Sequence, residues 1–306
     1  MTLKTKLLAV VTALLPAVAL AAPGDLLVTI PVANPSPMGV GVGVAVDCSD
    51  PPTMYYTNCF QPLLHSMTTA GVHINSIPMF DAATSNPISF GDITWDDATK
   101  TLWGGTTDVN PINVYQIDPV TGACAFKFTM AAPGCCGFCD GIAMDRDRTL
   151  WVCDDVADDI EHWDISGVPF LIETITPDSA GITIGMISGL AVGKGDRLYL
   201  GQDGLGTIIV VTKAGSFISD FAVTGGRVSG LACDPATFAP KEALWGKDAY
   251  GDFVQAFEVE SGTCECAGAG ACGDVDGSGG INVADLIYLV DYIFFGGPQP
   301  DCEPIE

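Results

Sequence analysis

One phrase recurs along most of this chain, and it limits the fold more than any other feature does. In its clearest copy, Ile187 to Thr224, four short apolar runs (GLAV, RLYLG, TIIVV, FISDFAV) are separated by clusters of Gly, Lys, Asp and Ser. That is the pattern of four antiparallel strands joined by tight turns. Further copies begin at Val42, Phe90, Cys139 and Val228. Anchored on the residues that end their first strands (Asp47, Asp96, Asp145, Gly193, Asp234), they are spaced by 49, 49, 48 and 41 residues. A four-stranded unit repeated every ~40 to 50 residues is the signature of a β-propeller blade. The predicted fold is therefore all-β, a five-bladed β-propeller, with six blades as the alternative count.

The fifth copy has no fourth strand of its own. Where that strand belongs the sequence reads TCECAGAG, which has neither alternation nor bulky β-formers. Asp25 to Val32, DLLVTIPV, is a strand-like run standing before the first copy. It is expected to pair as the outermost strand of the last blade and close the ring, because an open array leaves strand edges exposed.

Met1 to Ala21 has the form of a secretory signal peptide: Lys4 and Lys6 precede an apolar run that ends in Ala19-Leu20-Ala21. The expected location is outside the cytoplasm, whether extracellular, surface-held or periplasmic, with no membrane span. Losing the two lysines moves the formal charge from −25 to −27. Such acidity excludes nucleic acid, which requires clustered Lys and Arg. Twelve cysteines in an exported chain imply disulfides. Cys139 opens the first strand of its blade and Cys153 ends the second, so the hairpin would bring these two almost opposite each other.

The domain plan is a signal peptide over 1–21, a propeller over 22–262, a linker over 263–271 and a small module over 272–306. The module holds the sharpest motif, Asp274 to Asp285. It sets oxygen-bearing side chains at loop positions 1, 3, 5, 9 and 12, with Gly279 where the chain turns. A calcium ion takes six to eight oxygens, and this spacing wraps them around one point. Asp274, Asp276 and Ser278 would bind through side chains and Gly280 through its carbonyl. Asn282 would act directly or through water, and Asp285 should be bidentate. Leu286, Leu289, Val290 and Ile293 then fall at helical spacing, before Gly296-Gly297-Pro298. Cys272 and Cys302 bracket the module, and a bridge between them would staple a unit too small for a large core.

Over Cys272 to Cys302 the loop, the single helix and the FFGGP phrase resemble a dockerin type I repeat, an EF-hand-like calcium module. The resemblance implies calcium-dependent attachment to a cohesin-like or surface protein. This chain departs from the pattern in carrying one repeat where cellulosomal dockerins carry two.

In propellers the first strand of each blade lines the channel, and the loops around it form the ligand face. The copies place Asp92, Asp140, Ser188 and Ser229 at the channel mouth, with Asp154, Asp155, Asp203 and Asp248 after the second strands. Such a rim suits a cation or a polyhydroxylated ligand, although Asp and Gly also make turns. Tyr56, Trp103, Trp151, Tyr199 and Trp245 align in the second strands and read as packing between blades. The strand pattern over roughly 25 to 262 loosely resembles the NHL and gluconolactonase-like propellers, but no catalytic metal ligands of theirs match positions here. Two functions are consistent with the sequence. One is a secreted calcium-binding protein whose propeller binds a ligand or protein partner and whose tail mediates attachment. The other is an extracellular propeller hydrolase or lyase acting on polysaccharide or a lactone.

Overall fold

The computed structural model describes residues 22–32, 43–47, 49–58, 60–107, 111–131, 139–154, 159–177, 186–202, 204–223, 228–248, 251–266, 283–295 and 297, with only the backbone at Asp154, Ala284 and Asp285. The signal-peptide stretch, the calcium-loop residues Asp274, Asp276, Ser278, Gly280 and Asn282, the rim residues Asp155 and Asp203, and Cys272 and Cys302 lie outside these residues.

The chain is a five-bladed propeller. Strand β1 (Leu26–Pro31) comes first, and blade 1 follows with β2 (Val44–Val46), β3 (Thr53–Thr57), β4 (Leu63–Thr68) and β5 (His73–Pro78). A two-residue strand β6 (Phe80–Asp81) precedes blade 2, which comprises β7 (Phe90–Asp96), β8 (Thr101–Thr106), β9 (Asn113–Ile117) and β10 (Ala123–Thr129). Blade 3 holds β11 (Cys139–Met144), β12 (Thr149–Asp154), β13 (Ile160–Asp164) and β14 (Phe170–Ile175). Blade 4 holds β15 (Ile187–Gly193), β16 (Arg197–Gln202), β17 (Thr207–Val211) and β18 (Phe217–Ala222). Blade 5 supplies β19 (Leu231–Asp234), β20 (Glu242–Lys247) and β21 (Phe253–Val259). Its fourth strand is β1, in the order β1-β21-β20-β19, with Val28 opposite Ala256 and Pro31 opposite Phe253. The innermost strands β2, β7, β11, β15 and β19 touch in a closed cycle.

Burial follows position in the blade. The inner strands β7 and β15 are buried at every residue, whereas the outer strands β5, β14 and β18 are largely exposed. All five blades carry a register shift between the third and fourth strands, which twists the outer edge away from a flat template. Five apolar clusters fill the spaces between neighbouring blades, one for each pair. Trp103, Trp151, Tyr199 and Trp245 belong to these clusters. In blade 1 the equivalent residue is Tyr55 rather than Tyr56: it pairs with Ala45, as Trp151 pairs with Ala143 and Trp245 with Ala232. Tyr56 turns the other way, into the cluster it shares with Trp245.

The anchoring aspartates act at the first turn of each blade. Asp47 accepts from Thr53 N at 2.7 Å, and Asp145 and Asp234 accept from the indole N–H of Trp151 and Trp245 at 3.1 and 2.8 Å. Blade 4 has Gly193 at this point. A Cβ there would lie 2.8 Å from Thr263 O, so the chain beyond the last strand passes where a side chain would stand. Thr263 and Cys264 are buried, Tyr199 Oη donates to Thr263 Oγ1 at 2.8 Å, and Cys264 is disulfide-bonded to Cys233. Residues 263–266, assigned to a linker from composition, thus begin against the propeller.

The proposed Cys139–Cys153 bridge does not form. In the hairpin Cys153 pairs with Gly141 and Cys139 with Asp154, so the two are out of step. Past the propeller, α1 (Val283–Phe295) is the one helix among the described residues. It exposes Val283, Leu286, Ile287, Ile293, Phe294 and Phe295. No helix among the described residues is long and apolar enough to cross a membrane.

Candidate functional site at the channel mouth

The pairing registers set the depth of each residue in the channel. Val44, Ile93, Ile142, Leu190 and Leu231 are equivalent by their partners on the second strands. The residues just before them are Gly43, Asp92, Gly141, Gly189 and Gly230. Asp92 therefore stands one step deeper than Asp140, Ser188 and Ser229, not level with them. The glycines are needed because the inner strands nearly meet: a Cβ on Gly189 would lie 2.8 Å from Gly230 N, and one on Gly43 would lie 3.1 Å from Asp92 Cα.

Into this constriction the chain places a single carboxylate. Asp92 is fully buried, and its oxygens accept from Ile93 N at 2.9 Å, Ile142 N at 3.1 Å and Val44 N at 3.3 Å. It ties β2, β7 and β11 together across the channel. Burial pushes its pKa well above the usual carboxylate value, against the pull of the three N–H groups, and the charge of Asp140 adds to the rise. Beneath it, a ring including Ala45, Thr94, Ala143, Ala191 and Ala232 leaves about 20 Å³, room for little more than one water. The channel is closed at this level, so a ligand has to be met above it.

Above Asp92, Ser188 Oγ donates to Val228 O at 3.0 Å, Ser229 is buried, and Asp140 is half-buried. Asp248 accepts from Gly251 N at 2.9 Å. Asp154 ends β12. The ends of the second strands contribute buried groups that were not apparent from the repeat. Gln202 is 1% exposed, and its amide nitrogen has no hydrogen-bond partner among the described residues.

The most unusual residue is Lys247. It ends β20 at the place taken by Thr57, Gly105, Cys153 and Gly201 in the other blades, and it is 1% exposed. Across the seam between blades 5 and 1 stands His65, stacked on Tyr56 with centroids 4.7 Å apart and with its Nδ1 2.8 Å from Ser76 Oγ. Burial pulls the Lys247 ammonium down to about 8, and the charges of Asp252 and Asp248 oppose the shift. Burial pulls the His65 imidazole down to about 4, helped by His73 and Lys247. At neutral pH this histidine is uncharged, and a measurable fraction of the lysine is a neutral amine.

Both Asp92 oxygens take backbone N–H groups, and among the described residues no three His, Cys, Asp or Glu side chains gather where an ion could sit.

No family model and no curated protein sequence matches the chain. Solved structures do match in fold. A gluconolactonase from Xanthomonas campestris superposes with a TM-score of 0.50 at 16% identity, covering 72% of each chain. Agrobacterium tumefaciens regucalcin, a calcium-binding protein, gives 0.51 at 14%, covering 81% of this chain and 97% of its own. Myxococcus xanthus glutaminyl cyclase gives 0.55 at 12%, covering 79% and 97%. These likenesses show the propeller.

Proposed function

We propose that this protein is an exported propeller that hydrolyses a small lactone or related ester at its channel mouth, with Lys247 as the base. The observation that carries this reading is a buried amine at a position where the other blades hold Thr, Gly, Cys and Gly. Packing alone favours a small residue there, and burying a cation opposes folding. An amine that releases its proton near pH 8 can take one from water attacking an ester carbonyl. The gluconolactonase among the structural matches favours a lactone over other electrophiles. The test is acid release from glucono-δ-lactone in a pH-stat. The wild type should exceed the buffer rate, with activity rising through about pH 8. Lys247→Met should abolish that rise while leaving the circular dichroism spectrum intact. No activity in the wild type, or an unchanged pH profile in the variant, would remove the base from the mechanism.

The tail supports a second role, calcium-dependent attachment. Helix α1 stands where the loop motif requires one, and it exposes an apolar surface. Asp274, Asp276, Ser278, Asn282 and Asp285 would hold the ion. Calcium added to the chelated full-length protein should raise helical ellipticity, with about one ion bound per chain. Asp274→Asn with Asp285→Asn should erase both effects, and a response that survived them would place the ion elsewhere.

A further inference from the structure

Helix α1 carries most of its apolar residues on one side. Val283, Leu286, Ile287, Val290, Ile293 and Phe294 fall within an arc of about 120° on the helical circle, and each is between 40% and 72% exposed. Tyr288, Asp291 and Tyr292 lie outside that arc. A contiguous apolar stripe held in water marks a surface that meets a partner.

The spacing within the stripe indicates which partner. Read in sevens from Val283, it places Val283 and Val290 at the first position, Leu286 and Ile293 at the fourth, and Ile287 and Phe294 at the fifth. First and fourth positions form the seam along which helices pack knobs into holes, and valine at both first positions with Leu286 at a fourth suits a contact of two helices. Such a seam is complementary to itself, as a two-fold contact requires. Every residue in it is uncharged, so two copies can meet there without opposing like charges, despite a formal charge of −25 on each chain. The same composition disfavours a lipid surface. Helices that lie in a membrane interface carry Lys or Arg on the polar face, and α1 contains neither.

We infer that α1 is a self-association surface whose occupant is the same helix of a second copy of this chain. The inference names a partner for the attachment surface proposed above and rests on the tail's being an attachment module. The helix is about 20 Å long, and pairing two of them buries on the order of 1,000 Å² in total, at the lower limit for a specific interface. The dimer is therefore reversible, with a dissociation constant of about 10 to 100 μM.

The test is sedimentation velocity on residues 22–306, which omit the expected signal peptide, from about 5 to 500 μM, with calcium and with chelator. With calcium, the average mass should rise across this range toward twice that of the monomer. Leu286→Glu and Ile293→Glu should each weaken pairing at least about tenfold, whereas Tyr292→Gln, outside the stripe, should pair as the wild type does. Glutamate is a good helix former and the replaced side chains are exposed, so helical ellipticity should be unchanged and any loss of pairing does not come from unfolding. A chain that stays monomeric at the highest concentration, a dimer that survives both glutamate variants, or one that Tyr292→Gln dissociates equally would overturn the proposal. So would a monomer that binds phosphatidylcholine vesicles through Leu286 and Ile293, because lipid would then be the occupant. Calcium stoichiometry and ellipticity, measured on the same samples, separate this inference from the reading beneath it. A monomer that binds calcium normally sinks the pairing alone, and a dimer indifferent to chelator supports the pairing and removes the ion from the attachment.

Discussion

Lys247 makes stability depend on pH in a way that can be separated from catalysis. Its folded pKa, about 8, lies below the unfolded value of 10.5, so below pH 8 both states carry the proton and folding bears the full cost of burying the charge. That cost fades as pH rises from about 8 to 10.5, where the unfolded chain binds more protons than the folded one. It amounts to roughly 3 kcal/mol. Lys247→Met should therefore be the more stable protein at pH 7, with the difference in urea midpoint closing by about pH 10.5. A variant that was less stable at pH 7 would mean the amine has a partner that compensates its burial. His65 acts in a lower window. Its folded value near 4 against 6.5 unfolded removes stability as pH falls between them. The repeat pattern displays Lys247 as a departure from small residues in an otherwise regular column. It does not disclose that the side chain is buried, since that depends on blade 1 closing over it.

At the scale of elements, the chain after β21 is part of the propeller's underside. Cys233 and Cys264 close a segment with a sequence separation of 31, with Cα atoms 5.3 Å apart. On the chain-entropy account such a bridge contributes about 3 to 4 kcal/mol. Reducing it, or replacing both cysteines by alanine, should lower the thermal midpoint and loosen residues 263–266. Increased hydrogen exchange at Lys194 N, which donates to Thr263 O at 2.7 Å, would report the second effect. Retained protection in the double alanine variant would show that the remaining ties, the bond of Thr263 to Tyr199 and the disulfide at Cys266, hold the segment without the Cys233–Cys264 bridge. Composition suggested a linker because Gly, Ala and Cys without alternation are weak strand formers. A non-strand segment can still be buried, and only the gap left by Gly193 shows where this one lies. The hairpin of β11 and β12 carries a similar lesson, because two cysteines near the ends of paired strands are not opposite each other: Cys153 pairs with Gly141, which leaves Cys139 beyond it.

At the scale of the whole molecule, closure rests on β1. Ile30 and Val32 are both buried in the cluster joining blades 5 and 1, a contribution of roughly 3 to 6 kcal/mol from two side chains. Against a typical total of about 5 to 15 kcal/mol this decides whether the ring persists. A variant lacking residues 22–32 should lose cooperative unfolding and aggregate through the uncovered edge of β21. Adding a synthetic peptide of residues 25–32 should restore it. A truncated chain that unfolded like the parent would show that the ring closes without its first strand.

The sequence by itself determined the blade and the strand that closes the ring, and it favoured five blades with six as the alternative, which the closed cycle of inner strands settles as five. These follow from local alternation and from a repeat period, and both are written in order along the chain. It also displayed the Asp274 to Asp285 spacing expected of a calcium loop and the aspartates that end the first strands. Tertiary structure alone decided that Asp92 plugs the channel rather than lining its rim, that Tyr55 and not Tyr56 completes the aromatic ring, and which cysteine Cys264 finds. It also decided that Lys247 is buried against the blade 1 seam. Apart from the cysteine pairing, which lies within blade 5, these depend on depth and facing between blades about 40 to 200 residues apart, and a single shifted residue in a β-ladder changes both.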